Sequence, residues 1–274
     1  MKSEDISFVI QGPVFRSLNS STDHLLNQIY KAFPQSEIIF STWNGEINEL
    51  PFVQYIKNTD PGEIEGEFIY LKNFKRLVTS TFYGIQASSK NIVVKLRSDT
   101  VYEPELAKRL KKLMNEYDKK KLLVAMHSTP MNSFMLDDKI QIGTREMLID
   151  FWDIDGLNHM INYAHKKVEA SIKKQVYPGR HLVMAPEQIL FLRHTGVNIG
   201  LIKSPYVCNI LYLDSMRKNF NFINAPYYGF RSAKWDYRDS LKLRLYLLFI
   251  NRVNKKLMAF IMIIKNNIMN TVGK

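Results

Sequence analysis

Three charged residues alternate along VVKLRSDT: Lys95, Arg97 and Asp99 occupy every second position between Val93 and Thr100. A strand repeats its side-chain direction every two residues, so these three share one face while Val94, Leu96 and Ser98 take the other. Inside a dry sheet that arrangement is expensive. Beside an anion it is useful, because Lys and Arg give charge-assisted bonds to phosphate and a carboxylate accepts from hydroxyls or ligates a hard cation. Polar residues also close the other apolar runs: Gln11-Gly12-Pro13, Ser41-Thr42-Trp43-Asn44 and Asp60-Pro61-Gly62. Each alone reads as an ordinary turn or, for Asp99-Thr100, a helix cap. Ligands of open α/β sheets bind beyond the carboxyl ends of the strands, so four polar ends in succession predict one crevice.

The elements that must position these residues follow from periodicity. ISFVIQ, EIIFSTW, FVQYIKN and NIVVKLRS read as strands, separated by helical patterns in HLLNQIYKAF and LKNFKRLVTSTFYGIQAS. A helix from Pro104, then LLVAMHS, KIQIGT and REMLIDFWD continue the pattern. A further helix is expected around 159–174, and Pro186 opens another that Gly196 closes. Alternating strands and helices predict an α/β fold with a mostly parallel sheet covered on both faces, as one domain over 1–235.

Residues 236–274 form a second segment. Leu241, Leu245, Leu248, Val253, Leu257 and Ile261 recur at helical spacing, and from Leu241 to Lys274 seven Lys and Arg stand without one Asp or Glu. Of the net charge of +12, that tail carries +7 and leaves +5 upstream. An acid-free basic segment with an apolar face has the character of an interfacial membrane helix, and no uninterrupted run reaches the roughly 20 residues of a spanning helix. A terminal helix packed on the domain, or a dimer helix, has the same pattern. Stacking aromatics are not interleaved with the basic cluster, which argues against a nucleic-acid partner. The lone Cys208 precludes an intrachain disulfide, and the N-terminus lacks the pattern of a signal peptide, so a cytoplasmic setting is expected. Phosphate-loop, GxGxxG, HExxH, CxxC and nucleophile-elbow motifs are all absent.

In this order ISFVIQGPV, FPQSEIIFSTW, NTDPG, NFKRLVTSTFYGIQAS, VVKLRSDTVYEPE and MAPEQILF resemble the WavE family of lipopolysaccharide-synthesis proteins, over roughly Ile6 to Gln188. The resemblance implies a glycosyltransferase of GT-A type with a Rossmann-like nucleotide-sugar domain, acting on a lipopolysaccharide, capsule or other surface-glycan acceptor at the inner-membrane surface. Enzymes of that type carry a short acidic motif after the fourth strand that holds Mg²⁺ or Mn²⁺. Here Arg97-Ser98-Asp99 stands at that place, so either Asp99 ligates the metal or Lys95 and Arg97 meet the phosphates directly. Gln11, Gly12, Pro13, Thr42, Trp43 and Asp60 would contact the nucleoside, and Asn73 and Arg76, three apart on one helical face, the phosphates or sugar. Asn73 and Arg76 resemble the family's Asn-x-x-Arg pattern, although Leu77 stands where a Gln usually follows. Ser98 lies within the same motif. An inverting transfer needs a base for the acceptor hydroxyl, and Glu187 and Asp138 are the candidates. Glu187 has its own difficulty, because the field of a helix N-terminus lowers a carboxylate's basicity. Trp43 and Trp235 are candidate stacking platforms. Two other classes fit the same residues: a different nucleotide-activated transferase, of the polyol-phosphate kind, and a non-catalytic nucleotide- or nucleic-acid-binding module.

Overall fold

The computed structural model describes residues 2–14, 16–17, 20–45, 49–64, 71–100, 102, 105–117, 119–126, 136–156, 159, 186–196 and 218–223. The chain divides into two units, Met1–His127 with Met131–Arg231 and Ser128–Pro130 with Ser232–Lys274, and every described residue lies in the first. Apart from His159, the helix expected over 159–174 lies outside the described residues, as do Trp235 and the segment 236–274.

Strands of four to nine residues build the main sheet. In chain order the elements are β1 (Ile6–Gln11), β2 (Arg16–Ser17), β3 (Ser20–Ser21), α1 (Thr22–Ala32), β4 (Glu37–Trp43), β5 (Gln54–Asn58), α2 (Phe74–Ala87) and β6 (Ile92–Arg97). There follow α3 (Leu106–Glu116), β7 (Leu122–Met126), β8 (Leu136–Thr144), α4 (Arg145–Phe151), α5 (Pro186–Thr195) and the four-residue β9 (Phe220–Ile223). Seven strands form one sheet in the order β5-β4-β1-β6-β8-β7-β9, and β2 pairs with β3 in a separate two-stranded ribbon. The β5/β4, β4/β1, β1/β6 and β7/β9 pairs are parallel, whereas β8 runs antiparallel to both β6 and β7. The result is an α/β fold with a mostly parallel sheet.

Helices cover both faces, which is why the central strands are apolar on both sides. On one face Phe8, Ile10, Phe40, Val94 and Leu96 pack with Leu26 and Ile29 of α1 and Leu110 of α3. On the other, Val9, Ile39 and Val93 pack with Phe74, Val78 and Ile85 of α2, Leu148 of α4 and Ile189 of α5. Local signals fix the helix ends. Ser21 caps α1 by accepting from the His24 amide at 3.1 Å, and Thr144 caps α4 by accepting from Met147 at 3.2 Å. Pro186 occupies the first position of α5, and Gly196 follows it with φ +64°. Gly84 lets α2 lie close on the sheet: a Cβ there would stand 2.7 Å from Val9 Cγ1 and 2.8 Å from Ser41 Cβ.

Candidate functional site

Residues paired across neighbouring strands point to the same side of a sheet, and two successive rows beneath α2 determine the site. The inner row is Ile39, Val9, Lys95 and Gln141. The outer row, at the carboxyl end of the parallel strands, is Ser41, Gln11 and Arg97. Over the outer row lies a cavity of about 350 Å³. Gln11, Gly12 and Pro13 reach it from β1, Trp43 from β4, Asp60 from the loop after β5, and Arg97 and Asp99 from β6. The opening turns of α2 supply Asn73, Arg76, Leu77 and Ser80. Polar ends of four strands thus converge with one helix on a single hollow. Leu77 and Ser80 were not among the sequence candidates, yet they follow Asn73 by four and seven residues and so share its helical face.

Backbone bonds fix the cavity floor. The Ser98 amide donates to the Gln11 carbonyl at 2.9 Å, and its hydroxyl donates to the Pro13 carbonyl at 2.6 Å. Gly12 has φ +123°, and a Cβ there would come within 2.6 Å of Ser98 Oγ, so only glycine fits. The Ser80 hydroxyl and the Gln11 carboxamide are hydrogen-bonded at 2.9 Å, tying α2 to β1.

Two guanidinium groups dominate the electrostatics, and each is held by carboxylates. Arg76 donates from Nε to Asp60 Oδ1 at 2.8 Å and from Nη2 to Asp60 Oδ2 at 2.7 Å. Its Nη1 reaches Glu63 at 3.1 Å and Asn73 Oδ1 at 2.9 Å. Asn73 is the N-cap residue of α2 but makes no side-chain cap bond, because its side chain serves Arg76 instead. Hydrogen bonds from Arg76 hold the Asp60 carboxyl below the ordinary range. Arg97 repeats the arrangement, donating from Nε to Asp99 Oδ1 at 2.8 Å, from Nη2 to Asp99 Oδ2 at 2.7 Å and from Nη1 to Asp138 Oδ2 at 3.1 Å. Burial pushes the Asp99 carboxyl up, but the bonds and charge of Arg97 outweigh it and leave it below the usual value. The charge of Asp138, first among several causes, raises the Arg97 pKa further.

Several sequence expectations are corrected here. Lys95 does not line the cavity: it sits one row deeper with no exposed surface, and its ammonium donates to the Asp138 backbone carbonyl. Its Nζ lies 3.8 Å from Asp138 Oδ2 and 5.0 Å from the centre of the Trp152 ring. A cation so enclosed cannot meet a ligand phosphate. Asp138 is buried between Lys95 and Arg97. Burial pushes its carboxyl up, yet Arg97, Lys95 and Lys139 hold it below the usual range, so it is unsuited to take a proton. Thr42 is buried and does not line the cavity, since the strand period directs it away from Ser41 and Trp43, and Ser98 belongs to the floor beneath the lining. Glu187 lies in the first turn of α5, which packs on β8, and does not line the cavity. The lining is also balanced and not positive as a donor-phosphate cleft was expected to be: Arg76 and Arg97 face Asp60 and Asp99.

A divalent ion at Asp99 would need carboxylate oxygens turned toward it. Both oxygens of Asp99 are engaged by Arg97, and both of Asp60 by Arg76. Among the described residues no group of three His, Cys, Asp or Glu could hold a metal ion. The residues present do not fit the ion that the resemblance implied at this position.

Several solved structures show a distant likeness. A cytidylyltransferase from Leptospira borgpetersenii matches at 13% identity and a TM-score of 0.38, covering 85% of this chain and 99% of that one. 4-diphosphocytidyl-2C-methyl-D-erythritol synthase from Anaerococcus prevotii matches at 12% identity and a TM-score of 0.36, covering 55% and 74% of the two chains. Glucosyl-3-phosphoglycerate synthase from Mycobacterium tuberculosis, in complex with Mn²⁺, uridine diphosphate and phosphoglyceric acid, matches at 12% identity and a TM-score of 0.36, covering 56% of this chain and 64% of its own. No curated protein matches the chain. The family described as WavE lipopolysaccharide synthesis matches residues 6–196, a span that holds both arginines of the cavity and the four strand ends beneath them. On that match the chain belongs to the WavE lipopolysaccharide synthesis family.

Proposed function

We propose that this protein is an inverting GT-A-type glycosyltransferase that moves a sugar from a nucleotide-sugar donor to a lipopolysaccharide, capsule or other surface-glycan acceptor. The observation that carries the reading is the cavity at the carboxyl edge of the parallel strands, in a chain of a lipopolysaccharide-synthesis family. A nucleotide sugar presents both hydroxyls and phosphate oxygens, and a lining of paired carboxylates and guanidiniums offers acceptors for the first and donors for the second. In this reading Gln11, Trp43 and Asp60 hold the nucleoside, and Arg76 and Arg97 the phosphates. The bond between the anomeric carbon and the phosphate oxygen breaks, the acceptor oxygen forms the new bond from the opposite face, and the arginines stabilise the departing nucleoside phosphate. The acceptor proton passes to the departing nucleoside phosphate or to solvent.

Among the described residues no helix is long and apolar enough to cross a membrane. The acid-free basic stretch from Leu241 is the proposed contact with the cytoplasmic face of the inner membrane, where a lipid-linked acceptor would be met. The test is turnover of a panel of nucleotide sugars by the full chain, read as release of nucleoside phosphate. Arg97→Ala and Arg76→Ala are each expected to lower turnover about a hundredfold or more, within the range for a lost charge-stabilising group. Unchanged turnover in both variants, or no turnover of any donor by the parent chain, would refute the assignment.

A further inference from the structure

The two carboxylate pairs of the cavity raise the question of what supplies positive charge to a bound diphosphate. A cation site built on Asp99 would have to break two charge-assisted bonds, 2.8 and 2.7 Å long, and then seat the ion beside the guanidinium it had displaced. That guanidinium is not free to leave. Its Nη1 is anchored to Asp138, which is buried and tied from behind to the enclosed ammonium of Lys95. Three groups of the Arg97 side chain, Nε, Nη1 and Nη2, bond to carboxylates, and a guanidinium has five N–H groups, so at least one remains for a ligand.

From this geometry we infer that Arg97 takes the place of a divalent ion, so that the donor diphosphate binds without metal and Lys95 and Asp138 act as positioning residues for that guanidinium. The inference rests on the nucleotide-donor reading of the cavity and deepens it. Asp99 orients the guanidinium and at the same time offsets part of its charge. Removing the carboxylate charge therefore strengthens the attraction for a diphosphate, whereas removing a metal ligand would weaken it.

The experiment is calorimetric titration of the full chain with UDP, GDP, CDP and CMP, each in EDTA and in millimolar Mg²⁺ or Mn²⁺. For any nucleotide that binds, the affinity in EDTA is expected to lie within about twofold of that with metal, and a tenfold loss in EDTA overturns the inference. Asp99→Asn is expected to tighten the diphosphates about threefold or more, as loss of a nearby like charge requires. A tenfold weakening in that variant contradicts it. A second readout uses Mn²⁺ alone: its paramagnetic resonance signal is expected to be unaffected by the protein, and a protein-bound signal that disappears in Asp99→Asn would restore the metal site. If none of the four nucleotides binds in any buffer, the donor reading itself fails and this inference falls with it, an outcome distinct from metal-dependent binding.

Discussion

Replacing Asp138 by alanine tests whether the charge relay beneath the cavity holds as described. The carboxylate is buried between Lys95, which has no exposed surface, and Arg97, so its removal strips an enclosed ammonium of its counter-ion. Breaking such a pair costs about 3–5 kcal/mol. Lys95 also donates to the backbone carbonyl of residue 138, a bond that survives the substitution, and this puts the expected loss near the lower end, about 3 kcal/mol. For a chain of this size that corresponds to a fall in Tm of roughly 6–12 °C. The partner experiment is the double variant Lys95→Met with Asp138→Leu, which exchanges the pair for apolar groups. It is expected within about 1–2 kcal/mol of the parent, because a buried ion pair and its apolar replacement are close in stability. Arg97 keeps its bidentate bond to Asp99 in both variants and is only partly enclosed. Urea unfolding followed by tryptophan fluorescence reads both, since the Trp152 ring lies over Lys95. A double variant no more stable than Asp138→Ala, or a loss below about 1 kcal/mol in Asp138→Ala, would refute the relay.

Gly84→Ala is expected to destabilise the fold by about 1–3 kcal/mol, because the new methyl group meets a β1 side chain and a β4 side chain at once; chemical denaturation checks it. Acid stability follows from Asp99 and Asp138. Both titrate in the folded protein below the ordinary 3.8, so their contribution is fully present above that value and is lost as pH falls through the folded values. Urea midpoints are therefore expected to drop below about pH 4, with a shallower drop in Asp138→Asn; equal slopes in parent and variant would count against the pairing.

Much of this architecture was legible in the chain. Ile6–Gln11 and Glu37–Trp43 are strands with the bounds that their apolar runs suggest, and Pro186 and Gly196 flank α5 as punctuation predicts. The strand period also placed Lys95 and Arg97 on one face correctly, with Val94 and Leu96 packed on the other. It could not show which of the two charges faces a ligand. That depends on Asp138 of β8 and on Trp152, the residue after α4, and no local pattern around residue 95 announces either. The direction of β8 was hidden for the same reason: an apolar strand reads alike whether it runs parallel or antiparallel to its neighbour. The balanced charge of the cavity was missed because Asp60 was read as a ligand contact, whereas its geometry makes it first of all the anchor of Arg76.

The mutual fit of Gly12 and Ser98 has a consequence for how the pocket can change. Two loops distant in the chain are clasped so closely that neither can shift without the other, and the positive φ at Gly12 excludes a side chain there whatever stands at 98. Leu77, on the helical wall opposite, is bound by no such reciprocity. Altered ligand preference is therefore most cheaply reached by exchanges on the helical wall, while the clasped base acts as an invariant footing.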